Sequence, residues 1–570
     1  MVSSQFDVAK ECLRLSQAAD RWKSIAPVDR AELAKKTAQS VGEEAEAWVR
    51  AAVAMKSVNP DGQVVCSNEL RTMLRAEECA TGPIATLRLL ILTEQALRSI
   101  GKSGVTNVSV KPRVTHVQEQ NSEASCSTSS SLLSVDVLPV RSLYDPTIFR
   151  GHQATVRCAH SGSVETFMKL WEEECQRRPH SSGVAVVLGA GNVTGLVAAD
   201  AVSQIFEYGR AVLLKIHPVQ SSLATVFRAA LKPLVDAGLL SVVVGDPEFV
   251  RDAIKSKEVT AMHLTGGEET FQNIIRSNES ELGTKKITCE LGNVTPWIVV
   301  PGEYPEKDLL YQADQVAASI ANNSSFNCIA TKVVLTSRHW KQRKQFLDRI
   351  EQRLASLPAR PAWYPGAIDL HQKATGRSIT GGCVRPRLLQ NVQRDDQPHW
   401  FAQEWFIPIA VETVVDGESI EDFCACVSRF VHELPGTLAA SVTRPDGMAK
   451  HDASHVEFLI EHLRYGVVAV NAWSALAYAV ANVPWGGFPG GTIENPQSGL
   501  GHVHNPLFLP VVHNSILRAP LRVWPPPPWF PWHRKGEQLA QGVAEMYAAI
   551  AAGKGGLLNL VGMLPNVFRS

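Results

Sequence analysis

The sequence predicts an α/β protein, with two stretches of alternating strand and helix behind a helical N-terminal portion. From residue 183 onward, short β-branched runs alternate with segments of helical spacing. Those runs are almost uniformly apolar, as strands of a parallel sheet covered on both faces are. With 570 residues, 45% of them hydrophobic, the chain is long enough for two or three substantial cores.

Taken in order, the first hundred residues pattern as amphipathic helices, and Thr81 to Ile100 is the most apolar of them, a segment to pack on a core. Residues 118–131 (QEQNSEASCSTSSS) are small and polar and read as a mobile loop. SVDVLPVR (134–141) and ATVRCA (154–159) are strand-like, and 163–177 reads as a helix. GVAVVLGA (183–190) is a buried strand, and Val193 to Tyr208 follows with apolar residues at helical spacing. Then come AVLLKI (211–216), a helix around 220–237, SVVVG (241–245), another helix, and AMHL (261–264). A second α/β stretch runs from Ile287 to about 488, with a helix at 306–322, a strand at 331–336, and an irregular span at 357–400 rich in Pro, Arg and Gln. VVHNSILRAP offers a late pairing strand. The tail carries VWPPPPWFPWH, a polyproline-like segment read as a strap across the surface, and a short helix from about Gly536. The chain shows no internal repeat.

Charge is balanced, 56 basic against 56 acidic residues, which gives no reason to expect nucleic acid or an anionic membrane as the main partner. The eleven cysteines are scattered; Cys424 and Cys426 lie too close for C-x-x-C, and no Cys/His group has zinc-site spacing, so no metal is expected. Lone thiols in a chain this large suit a reducing compartment. Lys10, Glu11 and Arg14 interrupt the N-terminus before a signal-peptide core develops. Arg464 to Glu494 encloses no formal charge, yet Asn471, Asn482, Pro484 and GGFPGG suit strands and turns better than a membrane span. A soluble, cytoplasmic protein is the expectation.

Gly189, Gly191 and Gly195 sit between a strand and a helix and invite a dinucleotide-fingerprint reading. That reading requires a carboxylate near the end of the next strand, and LLKIHP offers Lys215 instead. The usual fingerprint therefore fails.

Three other residues make chemical sense together. Glu290, in KITCELGNVTPWIVV, ends an apolar strand, where desolvation suits a general base; an ordinary strand-end carboxylate is the plainer reading. Cys328, in ANNSSFNCIATKVVLTS, lies in a small polar loop between helix and strand, where backbone dipoles favour thiolate; most free cysteines are simply small buried hydrophobes. Asn192, in LGAGNVTG, is either a helix cap or an amide donor to an oxyanion.

In order and spacing these residues resemble the aldehyde dehydrogenase superfamily, from residue 183 to about 515. The matching positions are Asn192, Lys215 23 residues on, the turn Thr265-Gly266-Gly267, Glu290-Leu291-Gly292 with Pro296, Cys328, Glu404-Trp405-Phe406-Ile407-Pro408, and Pro484-Trp485-Gly486-Gly487. The resemblance implies a Rossmann-like cofactor domain plus an α/β catalytic domain with small β oligomerisation elements. It divides the chain into 1–132, a possible oligomerisation segment 133–160, a cofactor core 161–290, a catalytic part 291–490 and a tail 491–570. It also implies NAD or NADP as cofactor, with Lys215 on the adenosine ribose, Gly266 and Gly267 facing the pyrophosphate, Glu404 on the nicotinamide ribose and Phe406 beside it. Cys328 would be the nucleophile, Asn192 the oxyanion donor and Glu290 the base that activates water against a thioester, giving a carboxylic acid from an aldehyde. A homodimer would fit.

The chain departs from the family pattern at Pro218, where a ribose-binding Glu is frequent, at Asn293 for Gly, and at Ile407 for Gly. NAD and NADP both stay open. So do two other readings: an acyl-thioester reductase of the same fold, against which Glu290 argues, and a binding protein that kept the fold without turnover. A cofactor-free cysteine hydrolase has no histidine partner at sequence level. Trp297, Phe326, Trp473, Tyr478 and Trp485 are candidates to line an apolar aldehyde tunnel, or plain core.

Overall fold

The chain opens with helices at Val8–Lys23, Pro27–Lys56, Asn68–Cys79 and Ala85–Ser103. Asp7 and Ser67 cap the first and third by accepting backbone N–H groups, and Pro27 stands where its missing donor costs nothing. Ala85–Ser103 buries nearly its whole circumference and ends on Gly104 in the left-handed region (φ 80°). The computed structural model describes residues 7–106, 112–118 and 129–568.

Strands β1 (Arg113–Gln118), β2 (Ser129–Leu138) and β3 (Gln153–Cys158) form an antiparallel ribbon. The expected loop at 118–131 is corrected at both ends, since Gln118 closes β1 and Ser129 opens β2; residues 119–128 lie outside the described residues. The helix expected at 163–177 is present as Val164–Arg177.

Strands β4 (Val184–Leu188), β5 (Ala211–Ile216), β6 (Leu240–Val244), β7 (Val259–Thr265) and β8 (Lys286–Glu290) then form a parallel sheet in the order 8-7-4-5-6. Every side chain of β4 is buried, which is why its run has no polar alternation. The helix expected at 220–237 is broken at Leu231, where Pro233 removes a donor, into Ala224–Ala230 and Lys232–Asp236.

The remaining strands are β9 (Pro296–Val299), β10 (Val333–Ser337), the two-residue pair β11 (Arg360–Pro361) and β12 (Cys383–Val384), β13 (Arg387–Leu389), β14 (Ile409–Val415), β15 (Ala439–Thr443), β16 (Val467–Val470), β17 (Gly499–Leu500) and β18 (Val512–Arg518). A ten-stranded sheet runs 1-2-3-18-16-15-9-10-14-13, parallel from β18 onward. β17 crosses back to add an antiparallel edge to β8. The late strand VVHNSILRAP thus pairs inside its own chain, between β16 and β3. The span 357–400 contains a helix, Ala367–Thr375, that its composition concealed.

The tail is a strap. Gln312 Nε2 donates to Leu521 O (2.6 Å), Phe530 is buried against Tyr311, and the Arg353 guanidinium lies 4.4 Å from the Trp532 ring centre. The helix Gly536–Ala551 then packs on the N-terminal helices, where Arg88 Nη1 donates to Tyr547 Oη (2.8 Å). A further helix, Leu557–Phe568, was not anticipated. Among the described residues, no helix is long and apolar enough to cross a membrane.

Candidate active site

In the 8-7-4-5-6 sheet, chain order reverses between β4 and β7, and ligand crevices open at the C-terminal ends of strands at such a point. A cleft of about 700 Å³ lies there, lined by Asn192, Lys215, Gly266, Gly267, Glu290, Cys328, Glu404 and Phe406, every site residue singled out from the sequence. The glycine loop that failed as a fingerprint has packing reasons instead. A Cβ on Gly191 would sit 2.6 Å from His217 Nδ1, and one on Gly195 would meet Thr81 O at 2.1 Å.

Cys328 is delivered by a strained loop. Beyond the helix Glu306–Ala321, Asn323, Ser324 and Ser325 all take left-handed conformations (φ 51°, 55°, 62°), each costing on the order of 1–3 kcal/mol unless the surroundings impose it. They do. Asn323 Nδ2 donates to Asn192 O (3.0 Å) and Phe326 O (2.8 Å), and its Oδ1 accepts from Lys56 Nζ (2.7 Å). Lys56 is ion-paired with Glu78, and Arg360 grips Glu77 through two bonds of 2.8 and 2.9 Å, all four side chains buried. On the other flank, Thr295 Oγ1 donates to Cys328 O (3.0 Å).

The Cys328 thiol donates to Glu290 Oε1 at 3.3 Å. Burial pushes this thiol well above the usual range, and the Glu290 and Glu404 carboxylates push it further. Both influences work against the thiolate that the loop position suggests. Glu290 is itself raised, by burial and then by Asp200. Thr265 faces Glu290 across the β7–β8 pair, and its hydroxyl donates to Asp200 Oδ2 (2.8 Å). Burial pushes Asp200 up, but the imidazoles of His263 and His504 outweigh it and hold the carboxyl below its ordinary range.

Asn192 is not the cap of its helix; Val193 holds that position, and Asn192 Nδ2 instead donates to Phe326 O (3.1 Å), two residues before Cys328. Gly266 N–H is committed to Glu290 O (3.0 Å), whereas Gly267 begins the helix Glu268–Ser277 with nothing within 4 Å of where its Cβ would stand. Glu404 Oε1 is buried without a partner and faces the cleft, an acceptor suited to ribose hydroxyls. Burial raises Glu404 and lowers Lys332, while their opposite charges favour ionisation of both. Lys332 also holds the Cys328 loop through Ser325 Oγ (2.8 Å) and the loop before β14 through Ile407 O (3.1 Å).

A second, smaller chamber of about 80 Å³ opens on the opposite side of Cys328, among Trp473, Leu476, Tyr478, Trp485 and Trp529. Two of the five aromatic residues in question do not line it. Trp297 lies in β9 with its indole bonded to Thr443 Oγ1 (2.9 Å), deep in the core. Phe326 packs with Trp363, Tyr364 and Phe406 on the cleft side.

A family model described as the aldehyde dehydrogenase family matches residues 148–370, which hold Asn192, Lys215, Glu290 and Cys328. The structure superposes on the aldehyde dehydrogenase KauB from Pseudomonas aeruginosa with a TM-score of 0.60 at 16% identity, covering 90% of this chain and 88% of that one. The chain has the fold of the aldehyde dehydrogenase superfamily. An indole-3-acetaldehyde dehydrogenase in complex with NAD+ aligns with TM-score 0.57 and 16% identity over 90% of this chain and 89% of that one. An NADP-dependent glyceraldehyde-3-phosphate dehydrogenase from Bacillus halodurans, complexed with NADP, gives 0.57 and 15% over 90% and 92%.

Within this aldehyde dehydrogenase fold, the sequence reasoning missed Asp200, His263, His504, Lys332, Arg251 and Trp529. Asp200 and Lys332 carried a signal, each a lone charge in an apolar run (LVAADAV, IATKVV). Arg251, which lines the cleft from the helix Pro247–Lys255, and Trp529 carried none.

Proposed function

We infer that the chain oxidises an aldehyde to a carboxylic acid through a thioester on Cys328. The observation that carries this reading is the 3.3 Å Cys328–Glu290 contact where a large cleft and a small apolar chamber meet. NAD or NADP fits the cleft. Lys215 and Arg251 would hold its adenosine end, Gly267 its phosphates and Glu404 its nicotinamide ribose, with Phe406 alongside. When bound, that group accepts the hydride.

The residues do the rest. Glu290 takes the thiol proton as Cys328 Sγ attacks the carbonyl, so the base acts already in the first step. The Cys328 backbone N–H and the second Asn192 amide hydrogen stabilise the oxyanion, the first amide hydrogen being engaged at Phe326 O. Glu290 passes that proton to solvent, then takes one from the water that attacks the thioester and returns it to the departing Cys328 sulfur. Among the described residues that line the Lys215 end of the cleft there is no carboxylate, but Asp246, which caps the helix Pro247–Lys255, is near enough to act on Lys215. Its charge opposes a 2′-phosphate while Lys215 and Arg251 favour one, and NAD and NADP both fit. A homodimer through the free edge of β1 goes with this reading; a monomeric mass in sedimentation would remove it.

The test is reduced-nicotinamide absorbance across an aldehyde panel with each cofactor. Absence of signal with every aldehyde, together with no thermal shift by NAD or NADP, would overturn the assignment.

A further inference from the structure

Two features left over by the catalytic reading meet at one place: the Pro/Trp-rich strap and the chamber behind Cys328. Trp529 of the strap walls the chamber. Its ring packs on Trp473 with centroids 5.1 Å apart, and Trp473 is fixed by donating its indole N–H to Ile329 O (2.7 Å), the residue after the thiol. The strap is anchored on either side of Trp529. Arg522 pairs with Asp308 (2.6 Å), Phe530 is 3% exposed, and Trp532 lies under Arg353. The wall is therefore held from the catalytic unit and is not a loose end.

The chamber's size and chemistry restrict its occupant. Space of this kind must reach roughly 10–15 Å³ to hold one water-sized group, so about 80 Å³ leaves room for about half a dozen such groups, the carbonyl included. Among the described residues that line it there is no Lys, Arg or His. Its two carboxylates are Glu290 and Glu77, the latter gripped by Arg360. A carboxylate or phosphate on the substrate would be buried there without a counter-charge, which is costly.

The geometry points to Trp529 as the residue that sets substrate length, confining the enzyme to short, uncharged, apolar aldehydes. This rests on the reading of Cys328 as the aldehyde-oxidising thiol. The C-terminal strap thus acts as the end wall of the substrate site, reached from a part of the chain more than two hundred residues beyond the thiol.

The test compares kcat/KM for straight-chain aldehydes from propanal to octanal in the wild-type chain and in Trp529→Ala, Trp529→Phe and Trp532→Ala. Trp532→Ala removes a strap indole that does not line the chamber, while Phe530 on Tyr311 and the Arg522–Asp308 pair still hold Trp529 against Trp473. The octanal-to-propanal ratio is expected to rise at least tenfold in Trp529→Ala, since each methylene accommodated in an apolar site is worth about tenfold or more. It is expected to rise less in Trp529→Phe, which also carries the test if the alanine variant does not fold, and to stay unchanged in Trp532→Ala. An unchanged ratio in both Trp529 variants, or an equal rise in Trp532→Ala, would overturn the proposal. Thermal stabilisation by unreactive primary amides of the same lengths reads the wall without turnover. Propanamide but not octanamide is expected to stabilise the wild type, and both to stabilise Trp529→Ala. That pattern in a chain without turnover would uphold the wall and remove only the oxidation reading, while amide binding indifferent to length would remove the wall.

Discussion

The two spaces that meet at Cys328 are built on opposite principles. The cleft is large and lined by strand ends, glycines and backbone groups, with Lys215 and Glu404 at its two ends. The chamber has about a ninth of that volume and is walled by indoles and aliphatic side chains. A parallel sheet presents its cleft wherever strand order reverses, so the fold itself provides the first. The second is assembled from segments far apart in the chain, among them those around Ala80–Ala85, Leu196, Cys328, Trp473–Tyr478 and Trp529, and exists only through packing. Generic chemistry belongs to the cleft and selectivity to the chamber.

Breaking the border between them has the largest expected effect. Cys328→Ser is expected to lower aldehyde oxidation by at least about a thousandfold while NAD or NADP still shifts the melting temperature, because the thiol belongs to both spaces but holds no cofactor atom. Persisting turnover would sink the nucleophile assignment. Glu290→Gln is expected to cost about 10²–10⁴ in turnover. Since the thiol gives its proton to this carboxylate, the pre-steady-state burst of reduced cofactor is expected to persist but slow; a burst at the wild-type rate would show that another group deprotonates Cys328.

The support beneath the border can be tested by stability. Arg360→Met strands Glu77 as a buried charge, and such broken pairs cost about 3–5 kcal/mol. Denaturant unfolding that shows a loss under about 1 kcal/mol would mean the pair does not hold the loop. On the cleft side, Arg251→Ala is expected to raise KM for NADP several-fold more than for NAD, through loss of charge at the Lys215 end. Equal effects on the two cofactors would move Arg251 away from the 2′-phosphate.

The smallest effect is a displacement in pH. Glu290 works as a base only when ionised, and burial and Asp200 hold its carboxyl above the ordinary range, so kcat is expected to rise with pH through that raised value. Asp200→Asn removes a negative neighbour, the carboxyl falls, and the acidic limb moves to lower pH. A limb that stays in place would show that Asp200 does not reach Glu290.

Several features were legible in the sequence because they depend on local pattern. β4, β5 and β7 were visible as apolar runs, since a strand buried on both faces has no polar alternation. Asn192, Lys215, Glu290, Cys328 and Glu404 were found as an ordered set, and the structure brings all five to one cleft. The electrostatic surroundings of Cys328 were not legible. A loop position suggests helpful dipoles, but two carboxylates arriving from β8 and from the loop before β14 decide the matter, and neither is near in sequence. Trp297 takes the core reading of the two that the sequence left open, since an aromatic residue beside a motif has the same signature whether it faces a tunnel or a core.

By itself, the sequence determined the strand–helix alternation and the residue types at the strand ends, because hydrophobic periodicity and turn chemistry act over a few residues. Only the tertiary structure decided that Cys328 Sγ meets Glu290 at 3.3 Å, that Lys56 and Arg360 hold its strained loop from below, and that Trp529 walls the chamber beside it. Proton affinity and cavity shape depend on desolvation and on side chains that meet across hundreds of residues, and no local pattern encodes those meetings.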